Sequence, residues 1–455
     1  VNGLALILVA IYAGALLVLS AGRHGGGTGV DYLLAGRRLT LPAFVATLVT
    51  TWYGGILAIG EYAWRFGIST WIVFGVPYYL AAILFAFWLA RRLRHSGAIT
   101  IPDLLVDAYG RKASTVGAVA VYASTVPVAY LLMVASLLTQ ITAWPILTTV
   151  VLVATFSALY VALSGFRAVV RTDALQLILM YGGFLILLPA ALAHTGGISK
   201  LWSSLPASHR AWDGGLGWQT VLVWYLIALQ TVVEPSFYQR VFAARSPRIA
   251  RTGVLVSVAM WMVFDFLTVF SGLAARVLLP DLSDPMAAYT SLATLVLSPW
   301  AAAFFILALF ATMMSTLDSY LFIAATTVGH DFPKTASDGF EVRRRTRFGL
   351  ILSAGLAIVG ATIFTSAVQV WHDIGSVVTS TLLLPVLAIH LPSPWKPSEA
   401  GAVIAMIGAA VASTTWILAR TSSGYPLGVE PMFPALLLAA LCLIADRAYA
   451  RLVTS

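Results

Sequence analysis

Thirteen apolar stretches dominate the chain. Each is near or above the ~20 residues a helix needs to cross a bilayer. They run 3–22, 40–64, 70–92, 114–142, 147–165, 172–193, 217–238, 251–277, 298–328, 346–365, 369–391, 400–419 and 431–449. Lipid leaves a chain of this kind two solutions, because every backbone polar group must be satisfied from within: a helical bundle or a closed barrel. The runs are continuous and do not alternate, so helices are expected. Composition agrees. Sixty per cent of the residues are hydrophobic and 10% are charged, against about a quarter charged in a soluble chain. The expectation is an all-α integral membrane protein, a single transmembrane domain over 1–455 with the lipid bilayer as its solvent.

The net charge of +9 is explained by topology. With the N-terminus outside and thirteen crossings, only Arg65, Lys200, Arg210, Arg276 and Arg420 of the 27 lysines and arginines fall outside. The others, among them Arg23, Arg91, Arg111, Arg240, Lys334 and Arg447, gather on the inner face, as the positive-inside rule requires. The basic excess is therefore a cytoplasmic-face signature and implies no nucleic-acid partner. The expected location is the inner (plasma) membrane, multi-pass, with the C-terminus cytoplasmic. Leu4–Ser20 has no basic flank before it and reads as a retained helix rather than a cleaved signal. Cys442 is the one cysteine, so no disulfide forms within the chain. The connection at 100–109, with Pro102 in its first turn, suits a short interfacial helix, and 283–293 suits another.

Against this apolar background the interrupted and polar spans stand out. The second segment contains LVTTWYGGILAIGEY (48–62). Two adjacent glycines are costly in a helix interior and suit either a broken helix with free carbonyls for a cation or close helix packing. The seventh contains WYLIALQTVVEPSFYQR (224–240), where Pro235 disturbs the preceding turn. The ninth carries ATMMSTLDSY (311–320). Thr312, Ser315, Asp318 and Ser319 fall on one helical face, with Thr316 beside it. Interhelical hydrogen bonding explains the hydroxyls but not a carboxylate, which costs roughly 2.5–3.5 kcal/mol on insertion scales. A cation held by oxygen ligands would compensate it. Asp173 and Gln176 share a face in RTDALQ (171–176); taken alone, Asp173 reads as an interfacial helix cap. Of the acids within spans, Glu61 lies one turn from Arg65 and pairs with it, Glu234 pairs with Arg240 or caps a helix, and Asp265 has no sequence-local partner.

STLDSY followed by GHDFPK (329–334) resembles the ninth segment of the sodium/solute symporter family. So do ITIPDLLVDAYGRKAS (99–114), GFRAVVRTDALQ (165–176) and EPSFYQRVFAARSPRIAR (234–251), in the right order across Leu41 to Ile389. The resemblance implies a LeuT-type fold, a five-plus-five inverted repeat with one extra N-terminal and two extra C-terminal helices. The expected divisions are 3–22, 40–194, 216–391 and 399–450. It implies a first sodium site from the carbonyls of Thr50, Tyr53 and Thr312 and the hydroxyls of Ser315 and Thr316. Position 312 is usually alanine in the family, and threonine here leaves the carbonyl but alters the packing. In some members a second sodium is bound, and the matching residues are Asp173, Ser315, Asp318 and Ser319.

A solute site is expected beside the ion. Its candidates are Tyr53, Gly54, Gly55, Ala58 and Glu61, then Tyr78, Tyr79 and Tyr130, then Trp224, Ile227, Gln230 and Thr231. The function expected is sodium-coupled symport of a small polar organic solute, an amino acid or other amine ahead of a carboxylate or sugar, by a protein acting as a monomer. Proton-coupled symport by the same fold and a symporter-like sensor are the alternatives. An enzyme is disfavoured: five of the seven histidines, His24 and His209 among them, lie in loops, and His372 beside Asp373 suits a gate or a cap.

Overall fold

The computed structural model describes residues 1–21, 28–333, 338–364, 367–392, 395–421 and 424–454. Arg23, His24 and Lys334 lie outside the described residues. The chain is helical throughout: α1 (Asn2–Ser20), α2 (Leu41–Trp52), α3 (Ile56–Phe66), α4 (Trp71–Ser96), α5 (Ile101–Tyr109), α6 (Arg111–Thr142), α7 (Ile146–Ser164), α8 (Phe166–Thr195), α9 (Trp218–Ile227), α10 (Pro235–Ala243), α11 (Pro247–Leu278), α12 (Ala288–Val296), α13 (Pro299–Thr326), α14 (Gly339–Ile363), α15 (Ala367–Ala388), α16 (Glu399–Leu418) and α17 (Met432–Thr454). Among the described residues, eleven helices are long and apolar enough to cross a membrane, twelve when α2 and α3 count as one bent span. The segment expected at 369–391 is α15, whose apolar helical part, His372–Ala388, is shorter than the rest.

The bundle is organised around α13. Its apolar window is 83% buried, against 22% for α1 and 17% for α17, so α13 is the central post and the two terminal helices lie at the periphery. α8 packs along it, and α2, α6, α7 and α14 also touch it. Two spans are interrupted, as their breakers require. α2 and α3 bend by 58° about Tyr53–Gly55. In the seventh span a 3-10 turn, Ala228–Val233, separates α9 from α10, and Glu234 leaves helical geometry before Pro235 restarts the helix at its first position. The short helix expected at 100–109 forms as α5. Thr100 and Asp103 close a capping box at its start. The second connecting helix is α12, preceded by the 3-10 turn Pro285–Ala287.

Candidate functional site

The break between α2 and α3 is pressed against α13. The Thr316 hydroxyl donates to the Thr51 carbonyl at 2.9 Å and lies 3.5 Å from that of Thr50. Gly54 makes this approach possible. A Cβ there would stand 2.6 Å from Thr316 and from the Tyr130 ring, closer than real side chains come, so only glycine fits. Thr50, Tyr53, Thr312, Ser315 and Thr316 are all buried. The Thr312 hydroxyl turns back onto the Ala308 carbonyl at 2.7 Å. This absorbs the extra group within its own helix, as a satisfied intrahelical hydroxyl. Ser315 donates to Asp173 Oδ1 at 2.6 Å and keeps its oxygen lone pairs for a further partner.

The four residues of the second expected ion position divide. Asp173 and Ser315 stay together, and Thr47 also donates to Asp173. Ser319 instead meets Thr51 at 2.9 Å and the Arg240 guanidinium at 2.6 Å. Asp318 turns toward α7, where Ser157 and Tyr160 donate to it. Two readings from sequence are corrected here. Asp173 is no interfacial cap: α8 starts at Phe166, so Asp173 sits two turns inside and is fully buried. Arg240 is no cytoplasmic loop charge and does not pair with Glu234. It is fully buried in α10. It donates to Thr47 (3.1 Å), Thr51 (2.8 Å), Ser319 and Gln239 (2.8 Å), lies 3.9 Å from Asp173 and stacks over Phe166. A guanidinium can be buried only with such compensation.

Beside the break lies a cavity of about 950 Å³. It reaches from Thr51, Tyr53 and Gly55 to Arg65 at the end of α3 and to Asp284, Arg420, Tyr425 and Glu430 in the connections at the face opposite α5. Of the solute candidates, Tyr53, Gly55, Ala58, Glu61, Tyr78, Tyr130, Trp224, Ile227 and Gln230 line it. Gly54 faces α13 instead. Tyr79 stands behind the wall, bonded to Asp265 and to Trp71, and the Thr231 hydroxyl is buried away from the cavity. Glu61 is held by Arg65 at 2.8 Å toward the mouth. The deep carboxylates are Glu234 and Asp265. Glu234 accepts from Tyr320 (2.9 Å) and from the Ser236 amide, and Asp265 accepts from Tyr53 (2.9 Å) and Tyr79. His372 and Asp373 sit at the rim with Tyr425 and Glu430.

The sequence profile of the Sodium:solute symporter family matches residues 32–409. The chain belongs to that family. The Escherichia coli sodium/pantothenate symporter is 24% identical over 64% of this chain and 62% of its own length. The Caenorhabditis elegans high-affinity choline transporter 1 is 22% identical over 77% of this chain and 65% of its own. The chain thus spans somewhat less than two thirds of the length of these relatives. A structure described as the substrate-bound outward-open state of a Na+-coupled sialic acid symporter superposes with a TM-score of 0.82 at 15% identity, covering 99% of this chain and 97% of that one. A nucleobase-cation-symport-1 family transporter in a closed conformation gives 0.62 at 13% identity, covering 94% and 95%. The fold is therefore the LeuT type, and the family and its structural neighbours are transporters, not enzymes.

For a symporter-family chain the sequence left Arg240 and Tyr320 out of the site and gave Asp265 no partner. Arg240 was hidden by topological bookkeeping, which assigns a basic residue near a span end to the nearest face. Tyr320 and Asp265 carried no spacing signal, because their partners, Glu234, Tyr53 and Tyr79, come from other helices.

Proposed function

We propose that the chain is a sodium-coupled secondary active symporter that moves a small polar organic solute by alternating access. Sodium sits between the α2–α3 break and α13, on the carbonyls of Thr50, Tyr53 and Thr312 and the hydroxyls of Ser315 and Thr316. The observation that carries this is the contact at Gly54. It brings the last-turn carbonyls of Thr50 and Thr51 to the Thr316 hydroxyl of a buried helix, beside a large cavity lined by Thr51 and Tyr53. Oxygen ligands that need no deprotonation suit a hard monovalent cation. In the repeat reading, 40–194 and 216–391 are the two inverted halves and the broken spans are their first members. The N-terminus outside, the C-terminus cytoplasmic, and action as a monomer in the plasma membrane complete the proposal.

An amine-bearing solute is favoured over a carboxylate or sugar. The deep wall offers Glu234 and Asp265, whereas the arginines lining the cavity are Arg65, already paired with Glu61, and Arg420 at the rim, stacked on Tyr425. Sodium binding to the native state raises stability by RT ln(1 + [L]/Kd). Replacing potassium by sodium at constant ionic strength should give a saturable rise in thermal stability, lost in the Ser315→Ala/Thr316→Ala variant. An equal rise in that variant, or none in the parent, rejects the sodium site. One observation favours a second reading, proton coupling: Asp318 is buried among hydroxyls, with no cation beside it among the described residues. Uptake driven by a pH gradient without sodium would select it.

A further inference from the structure

The face opposite the cavity mouth carries a cluster that the transport reading does not use. Asp103, in the first turn of α5, meets His330 and Asp331, which end the span begun by α13. One ligand atom from each of the three lies within 4.8 Å of the other two. His330 Nε2 stands 3.1 Å from both carboxylate oxygens of Asp103. Asp103 Oδ2 is also held by the amides of Ile99 (2.8 Å) and Thr100 (3.2 Å), which leaves Oδ1 with His330 alone. Asp331 repeats the pattern. Its Oδ1 accepts from the Thr100 hydroxyl at 2.6 Å, while Oδ2 is buried and accepts no hydrogen bond. The Asp331 side chain is 5% exposed, and an unpartnered buried carboxylate oxygen is costly. Each carboxylate is thus oriented through one oxygen and keeps the other clear of backbone and hydroxyl donors, which is how outer hydrogen bonds prepare metal ligands.

We propose that Asp103, His330 and Asp331 bind a divalent transition-metal ion of the zinc class. One imidazole and two carboxylates suit such ions and not sodium. A tetrahedral metal about 2.1 Å from each ligand requires the ligand atoms to close to about 3.4 Å of one another, a movement of about 1 Å at a helix end. The neighbouring Arg111 does not compete for these oxygens. It donates to the carbonyls of Asp331, Phe332 and Pro333, capping the helix end. The bound metal bridges α5 to the span that carries Ser315 and Thr316, fixing that face while the cavity opens on the other.

The test uses tag-free protein in detergent and needs no transported solute. Zn2+ should raise thermal stability saturably. Co2+ should give visible absorption bands of a nitrogen-and-oxygen site, displaced by Zn2+. His330→Ala and Asp331→Asn should each weaken metal affinity at least tenfold and leave the response to sodium unchanged. The unchanged sodium response separates loss of this site from misfolding. A parent protein with neither Co2+ bands nor a Zn2+ shift overturns the proposal. So does a Zn2+ shift that survives in both variants, which would place the metal elsewhere.

Discussion

The two interrupted spans solve one problem with different residues. α2–α3 breaks at glycine and offers backbone: its carbonyls meet Thr316, and its closest residue, Gly54, has no side chain at all. The α9–α10 span breaks ahead of proline and offers side chains. Gln230 and Glu234 face the cavity, and Arg240 enters the polar core beside Asp173. A glycine break lets helices close up until main-chain oxygens are within reach. A proline break unwinds a turn and swings long side chains off the helical register. The first suits a small ion and the second a larger, shaped solute.

Four substitutions test this contrast. Arg240→Met should have the largest effect. It strands a buried carboxylate, at a cost of about 3–5 kcal/mol, and Asp173→Asn in the same background should recover part of it; a thermal melt of the pair reads this directly. Gly54→Ala comes next. Forcing a Cβ into the 2.6 Å gap against Thr316 and Tyr130 should cost about 1–3 kcal/mol and remove the sodium-dependent stabilisation, measured by the same melt with sodium in place of potassium. Glu234→Gln should leave the melt nearly unchanged, since an amide oxygen can still accept from Tyr320 and Ser236. Binding of an amine solute should fall at least tenfold, and if it does not, the assignment of the deep carboxylate fails. Gly55→Ala should do least. Its Cβ meets nothing within 4 Å, so stability should change by no more than about 1 kcal/mol. Equal damage at Gly54 and Gly55 would mean that flexibility, not close approach, is what the glycines supply.

The legible parts of the sequence were those with a local signal. Span length, the Gly-Gly and Pro breaks, and the hydroxyl stripe of 312–319 each depend on residues a few positions apart, and the structure has helices, interruptions and a polar face there. The partners across helices were not legible. Asp318 shares its stripe with Ser315 but bonds to α7, because a stripe on a fully buried helix has neighbours on both sides. The pairing of Glu61 with Arg65, by contrast, was legible from their spacing of four and is present at 2.8 Å. The hydroxyl partners of Glu234 and Asp265 were not legible, because folding alone brings them.

Tyr53 belongs to both halves of the site. Its backbone lies in the α2–α3 break, and its hydroxyl rests on Asp265 in the cavity wall. If sodium binds on one side of this residue and solute on the other, as proposed, the four binding equilibria form a closed square, and both pairs of opposite sides differ by the same factor. Whatever factor sodium adds to solute affinity, solute adds to sodium affinity. A substitution at Tyr53 that lowers one of these factors should therefore lower the other equally, because both are the same coupling free energy.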